Sequence, residues 1–472
     1  LRVFRVSLFS AAIKRLAVYP SGQFYTSVFG KEMTHTSAEK FADDNTGWRK
    51  LTAARESCVA INQNLQVRFA VVGAGFTGLA AARELALLCP DDEVVVLDAR
   101  GVSAGASGRN AGYAVGVSQF GGKVTDDRVH ECRRINRLNH EGLALLRAAA
   151  APEPQHEWWQ ETGYHYLAAD KKSEQESRYF VENLVEFDTP HRVLDQNTIE
   201  SEIGTRHYLC GVHVPLGALV QPADLLYRLV DKLPSNVTLY ENSPVKEVQP
   251  KSGAVHLHME SGHQVEAQQV VLGCNYEMPG LGFLRNRISA TTLSGSFTRP
   301  LTDDEMASMG SLPSWGILGL HGGGATVRLT KDRRLMLRNC VEFNNGQLLS
   351  PDELAKNVPW HRERMLKRFP QLESVPIEQS WSGCEGVSRN MTSFFGQYAA
   401  NVYGAAGYNG SGLSRGTALG TALARMMLGG QDDLIRDASG FAKAQWLPPR
   451  PLLDLGAAWS IRQRFSGVGE DI

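Results

Sequence analysis

The sequence predicts an α/β fold, α+β over the whole chain, and three observations carry that expectation. Phe69–Leu88 (FAVVGAGFTGLAAARELALL) is a short β-type run, a glycine turn and a helix-forming stretch. After Pro90-Asp91-Asp92 a second β-type run, Glu93–Leu97 (EVVVL), ends on Asp98; together they make a βαβ unit of the size a parallel sheet needs. Farther along, strand-like pieces (YHYLAA, VHLHM, QVVLG, RLMLRN) alternate with helical patterns, as layered sheets and helices do.

In chain order, residues 1–30 hold no acidic residue while Arg2, Arg5, Lys14 and Arg15 are basic and serines recur. That composition suits an organelle transit peptide. The favoured alternative is a natural amino terminus at Met33, where the polar run MTHTSAEKFADDNTGW begins, and either way residues 1–45 are expected to carry little fixed structure. The βαβ unit follows. Asp127–Ala150 has a helical pattern that Pro152 and Pro154 break. Ala223–Leu233 and Asp352–Phe369 read as helices. From Asn401 the chain reads as strand, glycine-rich loop and the helix Gly416–Leu428, with a proline-rich stretch (LPPRPLL) after Trp446. No repeat or low-complexity tract appears.

Composition narrows the classes of function. Lys+Arg 49 against Asp+Glu 50 leaves a net charge of −1, which argues against nucleic acid or an anionic membrane as partner. Hydrophobic residues at 43% with 21% charged are ordinary for a globular protein and exclude disordered and fibrous classes. No apolar run approaches the ~20 residues of a membrane helix. The seven cysteines are scattered and never form CxxC, so they read as reduced thiols of a cytoplasmic protein, with no metal site.

The chemistry lies in glycine-rich loops. Gly73-Ala74-Gly75-Phe76-Thr77-Gly78 is G-x-G-x-x-G between a strand and a helix. Gly73 allows the tight turn, Gly75 lets the backbone approach a pyrophosphate at the helix N-terminus, and Gly78 permits close helix–strand packing. Asp98, twenty residues beyond Gly78, stands where an acid can take ribose hydroxyls. A Rossmann-like, adenine-dinucleotide-binding unit is the expectation. A second loop, Arg100–Gly112 (RGVSAGASGRNAG), has four glycines and no large apolar side chain. It suits a backbone running close along an extended ligand, with Ser107 and Asn110 able to hydrogen-bond it. A third loop, Gly404–Gly412, precedes the last long helix, whose N-terminus could favour the negative charge of a reduced flavin. Three such loops suit FAD better than the compact domain of a nicotinamide enzyme, though NAD(P) remains the alternative.

Those residues also carry a family resemblance. VVGAGFTGLAAAREL (Val71–Leu85) followed by VVVLDARGVSAGASGRNAG (Val94–Gly112) resembles FAD-dependent oxidoreductases of the D-amino acid oxidase superfamily, in the branch of γ-glutamylputrescine oxidoreductase and sarcosine oxidase-like enzymes. ETGYHYLA (Glu161–Ala168), ENSPVKEV (Glu241–Val248), QVVLGCN (Gln269–Asn275), the Trp381-Ser-Gly segment and AAGYNGSGLSRGTALGTALA (Ala405–Ala424) follow in the family's order. The resemblance implies a discontinuous FAD-binding domain (46–150, 215–288, 379–446), and a substrate domain built on an antiparallel sheet (151–214, 289–378), with a tail from 447. It places FAD contacts at Gly73, Gly75, Phe76, Thr77, Gly78, Asp98, Arg100, Ser107, Arg109, Asn110 and Gly112. It adds Val245, whose backbone would meet adenine, Gly273, and Tyr408, Asn409, Gly410, Ser411 and Gly412. Asn409-Gly410-Ser411-Gly412 replaces the Gly-His-Gly that many relatives carry, and Arg389-Asn390 with Ser393–Gly396 replaces an Asp before a Pro-x-Ile-Gly-like piece. Substrate and electron acceptor are therefore not carried over.

The implied reaction is oxidation of a C–N bond of an amine or amino acid, with hydride leaving to flavin N5 and the imine hydrolysing; oxygen or a carrier would reoxidise the flavin. No protein nucleophile is required. A carboxylate on the substrate would need a cation, for which Arg328 (in VRLT) and Arg338 (in MLRN) are the middle-domain choices, with Tyr408 a further substrate contact. A tRNA-modifying flavoenzyme is a third reading, which the absence of a basic block disfavours. Gly412-Leu-Ser414-Arg-Gly416 matches a nucleophile elbow, but the last histidine, His361, precedes it, the wrong order for an α/β-hydrolase. His256 and His258 read as the solvated face of a strand. Trp158, Trp159, Tyr164 and Tyr166 read as core or interface aromatics, and Cys384 as a buried thiol near where some relatives attach flavin.

Overall fold

The computed structural model describes residues 46–151, 156–344 and 346–471, together with two short strands, Arg15–Val18 and Phe24–Ser27, that pair antiparallel. The transit-peptide and Met33 readings lie outside the described residues.

One sheet is built on the predicted βαβ unit. Strand β1 (Leu65–Val72) turns at Gly73 into helix α1 (Phe76–Leu88), and β2 (Val94–Leu97) returns parallel to β1. Strands β3 (Val237–Tyr240), β4 (Gln264–Leu272) and β5 (Val402–Ala406) complete five parallel strands in the order β3-β2-β1-β4-β5, and β5 feeds helix α2 (Ser414–Met427). Strand side chains alternate between faces. Phe69, Val71, Val94 and Val96 join the core beneath α1 and α2, while Ala70, Val72, Val95 and Leu97 join a second core beneath the hairpin Val245–Lys251/Ala254–Met259. Burial on both faces explains why EVVVL reads as a continuous apolar run.

The second sheet has eight strands in the order 377–388, 288–298, 335–342, 326–329, 315–319, 164–168, 210–214 and 192–195. Every neighbouring pair is antiparallel except Trp315–Gly319 with Tyr164–Ala168. Helix Pro351–Arg368, begun by a Ser350/Glu353 capping box, packs Met365 on its outer face beside Leu329, Leu337 and Trp315. Strand Ile377–Ser388 belongs to this sheet along its whole length, across the break expected at residue 379.

The expected helices form at Asp126–Ala150, Pro222–Asp231, Pro351–Arg368 and α2. Two begin one residue early because proline is accepted in the first turn, where its missing N–H costs nothing. Val255, Leu257 and Met259 are buried, which leaves His256 and His258 on the more open face, and Trp158, Trp159, Tyr164 and Tyr166 are core residues. Ser414 is fully buried at the start of α2. The seven cysteines are unpaired. Among the described residues no cluster could hold a metal, and no helix is long and apolar enough to cross a membrane.

Candidate dinucleotide and substrate site

The carboxyl ends of β1, β2 and β4 open on one cavity of about 340 Å³, which extends to the facing wall of the antiparallel sheet. Its first side is backbone. Gly73 has φ +101°, and a side chain there would sit 3.2 Å from the carbonyl carbon of Gly273. Gly75 is the N-cap of α1 with no side-chain cap, and Gly105 begins the turn Ala106–Arg109 in the same way. At the first turn of α1 the Ser107 Oγ accepts from Phe76 N at 3.3 Å. Two uncapped N-termini on one cavity offer N–H groups and a positive field to an anion.

Asp98 ends β2 on the cavity. Its carboxylate accepts Ala74 N at 2.7 Å and Arg100 N at 2.9 Å. Burial pushes its pKa up, against the pull of the Arg100 guanidinium. Each oxygen keeps a second lone pair. Arg100 itself pairs with Glu277 at 3.1 Å. Asn110 uses its side chain within its own loop, donating to Ser107 O and accepting from Gly112 N, and Arg109 is buried with Nε on Ala104 O and Nη1 on Ser382 O.

Of the residues expected to touch FAD, Gly73, Gly75, Phe76, Thr77, Asp98, Arg100, Ser107, Arg109, Asn110, Val245, Gly273, Tyr408, Asn409, Gly410 and Gly412 line this cavity. Gly78, Gly112 and Ser411 do not. A Cβ on Gly78 would lie 1.8 Å from Gly73 O, so its role is the helix–strand contact. Gly112 has φ +78° and packs on Val220 O, which a Cβ would approach to 2.2 Å: the close approach is to protein, not to ligand. Ser411 is buried in the turn into α2, where its carbonyl accepts Arg415 N.

The substrate-side expectations divide. Arg338 lines the cavity and donates to Thr326 Oγ1. Arg328 does not line it. Its Nη1 donates to Val220 O at 2.6 Å, Gly112 O at 3.3 Å and Ala111 O at 3.4 Å, with Trp48 stacked 5.2 Å away. Burial lowers its pKa to about 10. Carbonyls of the second glycine loop hold this guanidinium, so Arg328 is corrected from substrate anchor to structural pin. The Tyr408 ring lines the cavity, yet its hydroxyl lies 2.5 Å from Thr77 Oγ1 and donates to Ala405 O; the hydroxyl is tied into the helix–sheet junction, which removes it as a substrate hydrogen bond.

Sequence reasoning passed over Tyr113, Tyr276, Glu277, Met336, Trp381 and Glu385, all of which line the cavity. In WSGCEG an acid stands among small residues in an otherwise strand-like run, a visible signal for Glu385. Cys384 lines the cavity too, and burial raises its thiol to about 11.

Comparison with known proteins decides the class. A family model described as "FAD dependent oxidoreductase" matches residues 68–426. The chain belongs to this family. Its dinucleotide is therefore FAD, and the chain is an FAD-dependent oxidoreductase. The chain is 26% identical over 422 residues to γ-glutamylputrescine oxidoreductase of Escherichia coli, covering 87% of this chain and 92% of that protein. It is also 26% identical over 389 residues to the probable oxidoreductase OrdL of Haemophilus influenzae, covering 77% and 83%. Glycine oxidase from Geobacillus kaustophilus has a similar fold, with TM-score 0.65, 17% identity, and coverage of 78% of this chain and 96% of that structure.

Proposed function

We propose that this flavoenzyme oxidises the C–N bond of an amine or amino acid, with FAD, when bound, supplying the two-electron acceptor. One observation carries the reading: a single cavity runs from the N-terminus of α1 to a wall of the antiparallel sheet bearing the half-buried cation Arg338. The N–H groups at Gly75, Phe76 and Thr77 would hold the pyrophosphate, and Asp98 would accept ribose hydroxyls. The N-terminus of α2 at Leu413, which reaches the cavity, would favour negative charge on the isoalloxazine. Met336, Leu318 and Trp381 exclude water from the opposite side. Arg338 offers a planar fork to a substrate carboxylate. The names of γ-glutamylputrescine oxidoreductase and glycine oxidase agree with a nitrogen-bearing substrate.

The test is anaerobic. Purified protein should show a flavin spectrum with about one FAD per chain, released by acid because the buried Cys384 thiol is not ionised at neutral pH. A panel of amines and amino acids should bleach it while their alcohol isosteres do not. Arg338→Ala should lower reduction by a carboxylated amine roughly tenfold to hundredfold and spare the decarboxylated analogue. Bleaching by alcohols alone would refute the reading.

A further inference from the structure

Every other acid gathered around the dinucleotide half of the cavity has its hydrogen bonds. Asp98 accepts two backbone N–H groups, Glu277 takes Arg100, and Glu241 takes Arg55, Cys58 N and Val102 N. Glu385 differs. It lines the same cavity, and among the described residues it has neither a hydrogen bond nor an ion pair within 4.0 Å.

Its place is fixed by the sheet. Strand 377–388 pairs Trp381 with Gly295, Gly383 with Leu293 and Glu385 with Thr291, so these three residues follow along the wall at two-residue spacing. The carboxylate reaches across to the third glycine loop, where a Cβ on Gly410 would lie 3.7 Å from Glu385 Oε1. Glu385 thus stands where the FAD-side loop meets the substrate wall. The charged groups facing it are Arg338 on strand 335–342 and Arg464 on helix Leu452–Ser466. Burial raises its pKa, and both arginines oppose that rise. Glu385 is half-buried, so a carboxylate on this wall with no protein donor leaves its lone pairs to a ligand in the cavity.

Resting on the amine-oxidation reading, we propose that Glu385 is a catalytic residue: it receives the N–H of a protonated primary or secondary alkylamine and takes its proton. An ammonium nitrogen has no lone pair with which to close a C=N bond. Transfer of one N–H proton to Glu385 Oε frees that pair. The neighbouring C–H bond then breaks, its hydrogen and both electrons leave to bound FAD, and the nitrogen pair forms the imine. Two electrons and two hydrogens leave the substrate, one of them as the proton on Glu385. With Arg338 on the same wall, the site is matched to an amine that also carries an anionic group.

The test compares wild type, Glu385→Gln and Glu385→Asp as holoenzymes, by FAD content and by anaerobic flavin reduction across pH with one amine and its alcohol isostere. Glu385→Gln should keep its FAD and reduce about 100-fold more slowly near neutral pH. Its deficit should shrink as pH nears the amine's own pKa of about 10, where free base is supplied by solvent. Glu385→Asp, which keeps a carboxylate, should recover part of the rate, and this comparison stands even if the Gln variant folds poorly. A wild type reduced by the amine alongside a Glu385→Gln enzyme of equal rate and unchanged pH profile overturns the role of Glu385 and leaves amine oxidation intact. A wild type reduced by the alcohol alone overturns both.

Discussion

Arg328 and Arg338 sit on adjacent antiparallel strands, and register separates their fates. Thr326 pairs with Arg338, and Arg328 pairs with Met336. That offset puts one guanidinium on the cavity and the other under the carbonyls of Ala111, Gly112 and Val220. In the sequence both are arginines in short apolar runs, and nothing local tells them apart, because the difference lies in pairing between distant strands. Arg328→Met takes the 2.6 Å donor from Val220 O, while Gly112 O keeps the Val220 N–H at 2.8 Å; leaving a buried acceptor unmatched typically costs ~1–3 kcal/mol. The expected result is a lower Tm and poorer FAD retention, with reduction by a carboxylated amine and by its decarboxylated analogue slowed in the same proportion. A loss confined to the carboxylated amine would return Arg328 to the substrate.

Elements differed in legibility for the same reason. Helix α1 and its turn could be read directly, since Gly73, Gly75 and Gly78 meet backbone constraints set within a few residues. The helix Gly47–Lys50 could not: four residues carry no periodicity. Yet Thr46 caps it, and Trp48 is 1% exposed between Phe297, Met336 and Trp381, with its indole N–H on Asn110 O at 2.7 Å. Met336 and Trp381 are themselves cavity wall. This segment precedes the matched family region and braces the substrate side from behind. Trp48→Ala should cost ~3–5 kcal/mol by cavity formation, read as a fall in denaturation midpoint with unchanged slope. The loosened Trp381 should raise KM for amine more than it lowers kcat.

At the scale of the molecule, the tail returns to the antiparallel sheet. Asp471 is fully buried, its carbonyl accepting Arg368 Nη2 at 2.8 Å and Ala325 N at 3.0 Å, and its Oδ2 accepting His321 N at 3.3 Å. It clamps the glycine-rich loop between strands 315–319 and 326–329, whose Leu318 and Thr326 line the cavity. Burial raises Asp471 to about 7, from 3.8. A carboxyl whose folded pKa is raised favours the protonated fold, so its contribution is complete below pH ~4 and is lost as pH climbs to ~7. Asp471→Asn should therefore melt a few degrees above wild type at pH 8, with the gap closing toward pH 5; a gap independent of pH would show that ionisation plays no part. The sheet order has another consequence. Strand β1 leaves the ribosome long before β4, the neighbour it needs, and β5 with the Gly404–Gly412 loop emerges later still. A nascent chain stopped short of Ala406 holds the Gly73–Gly78 turn without the third glycine loop that lines the same cavity, so the expected outcome is that truncated chains ending before this loop purify without flavin colour.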